Sequence, residues 1–398
     1  LTGTGSSEAG AGGPRFGPLF SPACYDSPMR ARSLFRTLIN RRVFLSCLTA
    51  VGLPLGCTER ERFPSEISNY PDPATEFTVF RLTNPTHESR LASAGHRVTS
   101  RDGLFLFYSS DRTGTAEVYR MNLRTGESER LTSAQQLRRD TVALLPGENR
   151  LAYFDSEWLM LAELARRRAR RVCPIAAGWS LEQGFAVSAG GREAAFVERR
   201  DDVFRLRLAS LSSGSVATVV EANQTLAAPQ FHPRHSLLLY RAGEDSLWVT
   251  DYRGASRRRL PLAAGGVGPA WWSRDGSAIL YLNFPPERRS LNSIREFTLA
   301  DSTDRLVAPT SQFVAFSPNA NASVFVGASG SVASPYLLLL VRATRRELTL
   351  CEHRSTAPAT VAPVFSPDSQ LVFFHSDRHG KTAIYAMRVD RLVEKTES

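Results

Sequence analysis

From about residue 76 onward the chain is written in short apolar runs separated by turn residues. Ser100-Arg101-Asp102-Gly103 leads into Leu104-Phe105-Leu106-Phe107-Tyr108, then Asp111-Arg112-Thr113-Gly114, then Ala116-Glu117-Val118-Tyr119-Arg120-Met121. The same grammar returns near the other end: Ser366-Pro367-Asp368-Ser369, Leu371-Val372-Phe373-Phe374, Asp377-Arg378-His379-Gly380 and Ala383-Ile384-Tyr385-Ala386-Met387. Each unit reads as turn, apolar strand, Asp/Gly loop and alternating strand, the pattern of antiparallel hairpins in series. Weaker copies stand at Leu145-Pro146-Gly147, Ser188-Ala189-Gly190, His232-Pro233-Arg234, Ser273-Arg274-Asp275-Gly276 and Ser317-Pro318-Asn319, which makes seven.

A period of about 44 residues holding four short strands is that of a propeller blade, with a pair of β-sandwiches as the competing architecture. The chain is therefore expected to be all-β, a seven-bladed β-propeller over residues 76–392. The last repeat lacks an outer strand like the one that follows Gly126, whereas Phe77-Thr78-Val79-Phe80-Arg81-Leu82-Thr83 carries that ending near the other terminus. The amino-terminal strand is expected to complete the last blade and latch the ring, removing exposed edges.

The first 75 residues have a different texture. Residues 1–28 are rich in Gly, Ser, Pro and Ala, show no apolar period and precede Met29, so they are read as non-native or disordered. Residues 29–56 have the anatomy of an export signal, with a basic start, Arg41-Arg42-Val43-Phe44-Leu45, a short apolar stretch and Gly56 before Cys57. The apolar stretch, about 13 residues, is shorter than the roughly 20 a spanning helix needs. Residues 57–75 alternate charge with Pro64, Pro71 and Pro73 and are expected to be a tether.

Composition is that of a globular protein, 42% hydrophobic and 22% charged. The formal net charge of +10 rests on arginine, because Lys381 and Lys395 are the only lysines. Arginine suits carboxylate and phosphate partners, yet runs such as Arg166–Arg171 and Arg257–Arg259 are as readily solvated strand ends. No aromatic-interleaved nucleic-acid motif accompanies them. The five cysteines form no zinc pattern, and Cys173 with Cys351 are either one disulfide or two buried thiols. A Gly-x-Ser-x-Gly elbow, a phosphate loop and a dinucleotide fingerprint are all missing.

Arg41, Arg42, Phe44 and Leu45 resemble the twin-arginine export signal, and Leu53-Pro54-Leu55-Gly56-Cys57 resembles a bacterial lipobox, which implies a lipid on Cys57 and a periplasmic protein held at a membrane. The blades resemble TolB-type propellers. Over roughly residues 70–390 the closer likeness is to the oligogalacturonate lyase family, carried by Asp72-Pro73-Ala74-Thr75 with Arg81-Leu82-Thr83, the Arg101-Asp102-Gly103 turn, Trp272 before Asp275-Gly276, and Phe365-Ser366-Pro367-Asp368 through Ala383-Ile384-Tyr385.

That likeness implies β-elimination on pectin fragments by a histidine base and a divalent metal such as manganese, held by histidines and a glutamine. The chain departs from it at the matching positions. Ala227-Ala228-Pro229 stands for Gly-His-Pro, Pro269-Ala270-Trp271-Trp272 for His-Glu-Phe-Trp, and Ala357-Pro358-Ala359-Thr360-Val361-Ala362 for Gln-x-x-His-Pro-His. Alanine and valine can neither ligate a metal nor take a proton. No catalytic or metal residue is therefore assigned, no cofactor is expected, and the remaining His87, His96, His232, His235, His353, His375 and His379 are read as satisfied or solvated. The expected function is non-catalytic, with an envelope protein or an acidic oligosaccharide as partner, no nucleic acid, and a monomeric state. The competing readings are a lyase with a displaced site and a TolB-like envelope scaffold.

Overall fold

A computed structural model describes residues 61–396 except 93, 94, 167 and 288. The expected export-signal residues Arg41, Arg42, Phe44 and Leu45, and Cys57, lie outside the described residues. The described chain forms seven antiparallel sheets, five of four strands and two of five. These are the seven blades of the propeller.

The core consists of seven apolar clusters, one between each pair of neighbouring blades. Strand periodicity explains this directly, since successive side chains point to opposite faces. In the strand Phe105–Ser110, Leu106 and Tyr108 pack toward the last blade and Phe107 toward the second. In Leu371–Ser376, Phe373 packs toward the first blade and Phe374 toward the sixth. Second strands with both faces covered are apolar over most of their length, which is why they appear in the sequence as apolar runs, with buried polar residues such as Ser110 and His375 toward their ends.

The recurring Ser-x-Asp turns have a physical cause. Ser100 Oγ donates to Asp102 Oδ1 at 2.5 Å and accepts the Phe105 amide at 3.0 Å. Ser273 repeats this with Asp275 and Ala278, and Ser366 with Asp368 and Leu371. Gly276, at φ +79°, also lies where a Cβ would come within 2.2 Å of the His232 ring.

Ring closure is as expected. Thr78–Arg81 pairs with Ala383–Arg388, placing Val79 opposite Met387 and Arg81 opposite Tyr385. The tether reading over 57–75 is corrected for its described part. Ser68–Pro71 pairs with Thr78–Arg81 as a fifth strand of the last blade, and Arg62–Phe63 pairs with Glu129 and Ser128 on the edge of the first. An outermost strand needs no continuous apolar run, so Ser68-Asn69-Tyr70-Pro71 shows no pattern to read. The propeller body also extends past residue 392, with Val393 buried and Thr396 Oγ1 bonded to Ser369 Oγ at 2.8 Å.

Cys173 and Cys351 are free and buried, on the outer strands of the second and sixth blades. Burial pushes the Cys173 thiol up to about 11 and Cys351 well above its usual value, so both are protonated.

Candidate channel site

The first strands of the blades lie innermost and lead into the Ser-x-Asp turns. Their ends, with the loop around His96, surround a cavity of about 580 Å³. It receives residues from distant parts of the chain: His96 and Arg97, Gln230, Trp271, Trp272 and Arg274. Trp271 Nε1 donates to the Phe316 carbonyl at 2.9 Å, and Gln230 Nε2 to the Ala270 carbonyl at 2.6 Å, tying neighbouring blades together. Arg97 pairs with Glu148 at 2.7 Å, which spends its charge. Trp272 meets the His232 ring edge-on at 4.7 Å. Among the described residues, the buried Trp272 Nε1, His96 Nε2 and Ser317 Oγ have no hydrogen-bond partner. Burial pushes His96 down to about 4, so it is neutral near pH 7.

Most remaining histidines are held by hydrogen bonds. His375 accepts the Leu91 amide on Nε2 at 2.7 Å and faces the Thr360 carbonyl with Nδ1 at 3.2 Å. His353 faces the Ser329 carbonyl with Nε2 and accepts the Ser355 amide on Nδ1. His232 faces the Gly276 carbonyl and accepts the amides of Arg234 and His235. His379 Nδ1 lies 2.8 Å from the Tyr385 hydroxyl, and His87 stands 3.9 Å from Asp111. These contacts use the lone pairs a metal would need, particularly on His375 and His353.

The positions at which the resemblance implied a base and ligands lie within two inner strands and on the approach to a third. Ala227 and Ala228 fall at an irregularity of Leu226–Phe231, and Pro269 and Ala270 at one of Gly266–Trp272. Residues Pro358–Thr360 form a short 3₁₀ turn before Val364–Phe365. Ala228 and Ala362 have φ of 47° and 43°. This left-handed region is uncommon for alanine and persists only where surrounding structure enforces it. No group of three or more His, Cys, Asp and Glu side chains gathers anywhere among the described residues. The donor set therefore does not fit a divalent metal.

The arginine runs lie away from the channel. Arg168, Arg170 and Arg171 are exposed on the outermost strand of the second blade, and Arg258 and Arg259 on that of the fourth. Charge on such edges blocks pairing with other chains. Sequence reading had named Trp271 and Trp272 as motif residues and His96 only among histidines read as satisfied or solvated, and had not named Gln230, because nothing in a strand's alternation reports which residues meet across the axis.

No family model matches the chain. It is 22% identical over 381 residues to an oligogalacturonide lyase of Pectobacterium atrosepticum, covering 82% of this chain and 97% of that protein. It is 21% identical over 369 residues to an oligogalacturonate lyase of Dickeya dadantii, covering 80% and 95%. Among solved structures, an oligogalacturonate lyase in complex with manganese matches with a TM-score of 0.77 at 21% identity, over 83% of this chain and 97% of that one. An oligogalacturonate lyase from Vibrio parahaemolyticus matches at 0.76 and 18% identity, over 83% and 98%. The chain is therefore similar to oligogalacturonate lyases over most of its length and shares their fold, here a ring of seven blades.

Proposed function

We propose that this chain is a lipid-anchored envelope propeller that binds an acidic oligosaccharide without cleaving it. The observation that carries the reading is that, on a retained fold, Ala228, Pro269, Ala357, Thr360 and Ala362 stand where the resemblance implies a base and metal ligands. β-Elimination requires a group that takes the proton beside the carboxylate and a positive centre that bears the enolate charge, effects worth on the order of 10²-fold or more each. Alanine and proline side chains supply neither. Recognition survives such losses more easily, because guanidinium groups bind carboxylates bidentately without any reacting group.

The assay is the ultraviolet absorbance of the unsaturated product from oligogalacturonates, with manganese, calcium or zinc added. No turnover is expected, with binding that weakens as salt rises. Metal-dependent turnover at enzyme-like rates would sink the reading in favour of a lyase with a displaced site. Retention of an envelope protein, with no affinity for acidic sugars, would favour the scaffold reading. Anchoring is tested separately: Cys57→Ser should move the folded protein from the membrane to the soluble fraction, two acyl chains being enough for stable attachment.

A further inference from the structure

The two ends of the ring differ in what they expose. In an antiparallel blade the connections from second to third strand, and from one blade to the next, lie at the end opposite the Ser-x-Asp turns. The two most exposed large hydrophobic side chains among the described residues stand at that end, Val332 at 93% and Leu291 at 54%. Leu291 lies in residues 285–292, between Ala278–Phe284 and Ser293–Thr298 of the fifth blade. Val332 lies in residues 330–335, between Val324–Ser329 and Tyr336–Val341 of the sixth. Both connections are fastened to the link that joins these blades. The Thr310 amide and Oγ1 donate to the Asn292 carbonyl at 2.8 and 3.0 Å, Asn292 Nδ2 donates to the Phe313 carbonyl at 2.9 Å, and the Gly330 amide donates to the Gln312 carbonyl at 2.9 Å. The two apolar tips are therefore held on either side of residues 310–313.

Their surroundings favour a lipid surface over a folded partner. A side chain 93% exposed stands clear of its neighbours, with no pocket around it to seat a partner's anchor. An acyl layer, by contrast, takes up an isolated apolar tip. Residues 330–335 carry no charge, so burying them desolvates no ion. The exposed Arg289 has no carboxylate partner among the described residues and suits a phosphate headgroup. The course of the chain supplies an independent reason. Glu61 pairs with Arg130 at 2.8 Å and its carbonyl accepts the Arg130 amide at 3.1 Å, at the close of the fourth strand of the first blade. A fourth strand runs in the direction of a second, so this point lies at the same end of the ring as Leu291 and Val332. Cys57 stands four positions earlier, at most about 14 Å of extended chain.

We infer that the end of the ring carrying Leu291 and Val332 lies against a bilayer containing anionic lipid, with these two side chains in the acyl boundary and Arg289 at the headgroups. The inference rests on the lipid anchor proposed above and adds an orientation: the Ser-x-Asp turns, and the channel cavity beside them, face away from the membrane. The net charge of +10 adds a general attraction to anionic lipid. Two aliphatic side chains hold only weakly by themselves, so they orient an anchored ring rather than retain it.

Hydrogen exchange compares the full-length acylated protein on vesicles of phosphatidylethanolamine and phosphatidylglycerol with the Cys57→Ser chain in solution. Amides of residues 285–292 and 330–335 should slow several-fold on vesicles, and those of residues 299–302, at the other end of the fifth blade, should not change. In the Cys57→Ser background, Leu291→Asp with Val332→Asp should lower partition into the same vesicles at least about tenfold. The melting temperature should stay the same, because both side chains already face water. Equal partition, or protection of 299–302 in place of the two tips, would overturn the inference. Protection of the tips without vesicles, growing with protein concentration, would do so as well, by showing that a second copy covers them. If the parent chain fails to fractionate with membranes, the anchor reading falls, and partition of the Cys57→Ser chain decides the inference by itself.

Discussion

The seam where the ring closes and the mouth of its channel each pair some buried polar groups and leave others unpaired among the described residues. The seam's bonds join the two ends of the chain, whereas the mouth's join neighbouring blades. At the seam, groups far apart in sequence are paired. The Glu352 amide donates to the buried Asp72 at 3.0 Å, Thr75 Oγ1 to the Leu350 carbonyl at 2.7 Å, the Ile384 amide to Thr83 Oγ1 at 3.0 Å and the Leu91 amide to His375 at 2.7 Å. At the mouth, His96 Nε2 and Trp272 Nε1 are buried without partners among the described residues, as are Tyr70 Oη and Arg81 Nε on the closing strands. A paired buried group stabilises the fold, whereas an unpaired one costs about 1–3 kcal/mol of desolvation. The long-range bonds of the seam serve closure, and the unpaired atoms at either place are ones that stability does not need.

The largest effect should come from breaking the seam outright. Deleting residues 76–84 removes the strand Thr78–Arg81, exposes two strand edges and strips apolar contacts from Met387 and Tyr385. The expected outcome is loss of a single cooperative unfolding transition, together with aggregation, followed by calorimetry and size-exclusion chromatography. A variant that melts like the parent would show that closure does not depend on this strand.

Acid should weaken the same region. Burial pushes His375 down to about 4 from an ordinary 6.5, so the folded chain refuses a proton that the unfolded chain accepts between those values. Stability is therefore full above about pH 6.5 and is lost as pH falls toward 4, by up to about 3 kcal/mol from this residue. His96 shifts the same way and contributes less, because its ring lines a cavity that water can enter. Urea unfolding at pH 7, 5.5 and 4 measures the slope, and His375→Gln should flatten it.

Asp72→Ala probes the seam by one side chain. It removes the acceptor for the amides of Glu352 and Ala74 at a residue only 1% exposed. The expected loss is about 2–3 kcal/mol in denaturant unfolding, larger than typical for a surface position. Ser317→Ala makes the reverse test on the inner strand Phe313–Pro318. Its hydroxyl is buried and unpaired, so removing it should leave stability unchanged or raise it by up to about 1 kcal/mol. A loss above about 1 kcal/mol there would mean that the hydroxyl makes a bond the fold relies on.

The sequence alone determined the blade count, the hairpin grammar and the latch, because a strand covered on both faces is apolar over most of its length and a tight turn has to carry Ser, Asp or Gly. The residue types at Ala228, Pro269 and Ala362 were likewise legible there, since what a side chain can ligate or deprotonate belongs to its type, and their reading as a lost base and lost ligands belongs to the proposal. The outer strands Arg62–Phe63 and Ser68–Pro71 escaped notice because one-sided, edge-exposed strands leave no hydrophobic period. Tertiary structure decided which residues meet across blades. It joined His375 to Leu91 over 284 positions and fastened the connections that carry Leu291 and Val332 to one link between blades. It also kept Cys173 and Cys351 apart as separate buried thiols on the second and sixth blades. Such neighbours are set by the curvature and closure of the ring, and local alternation of apolar and polar residues carries no record of either.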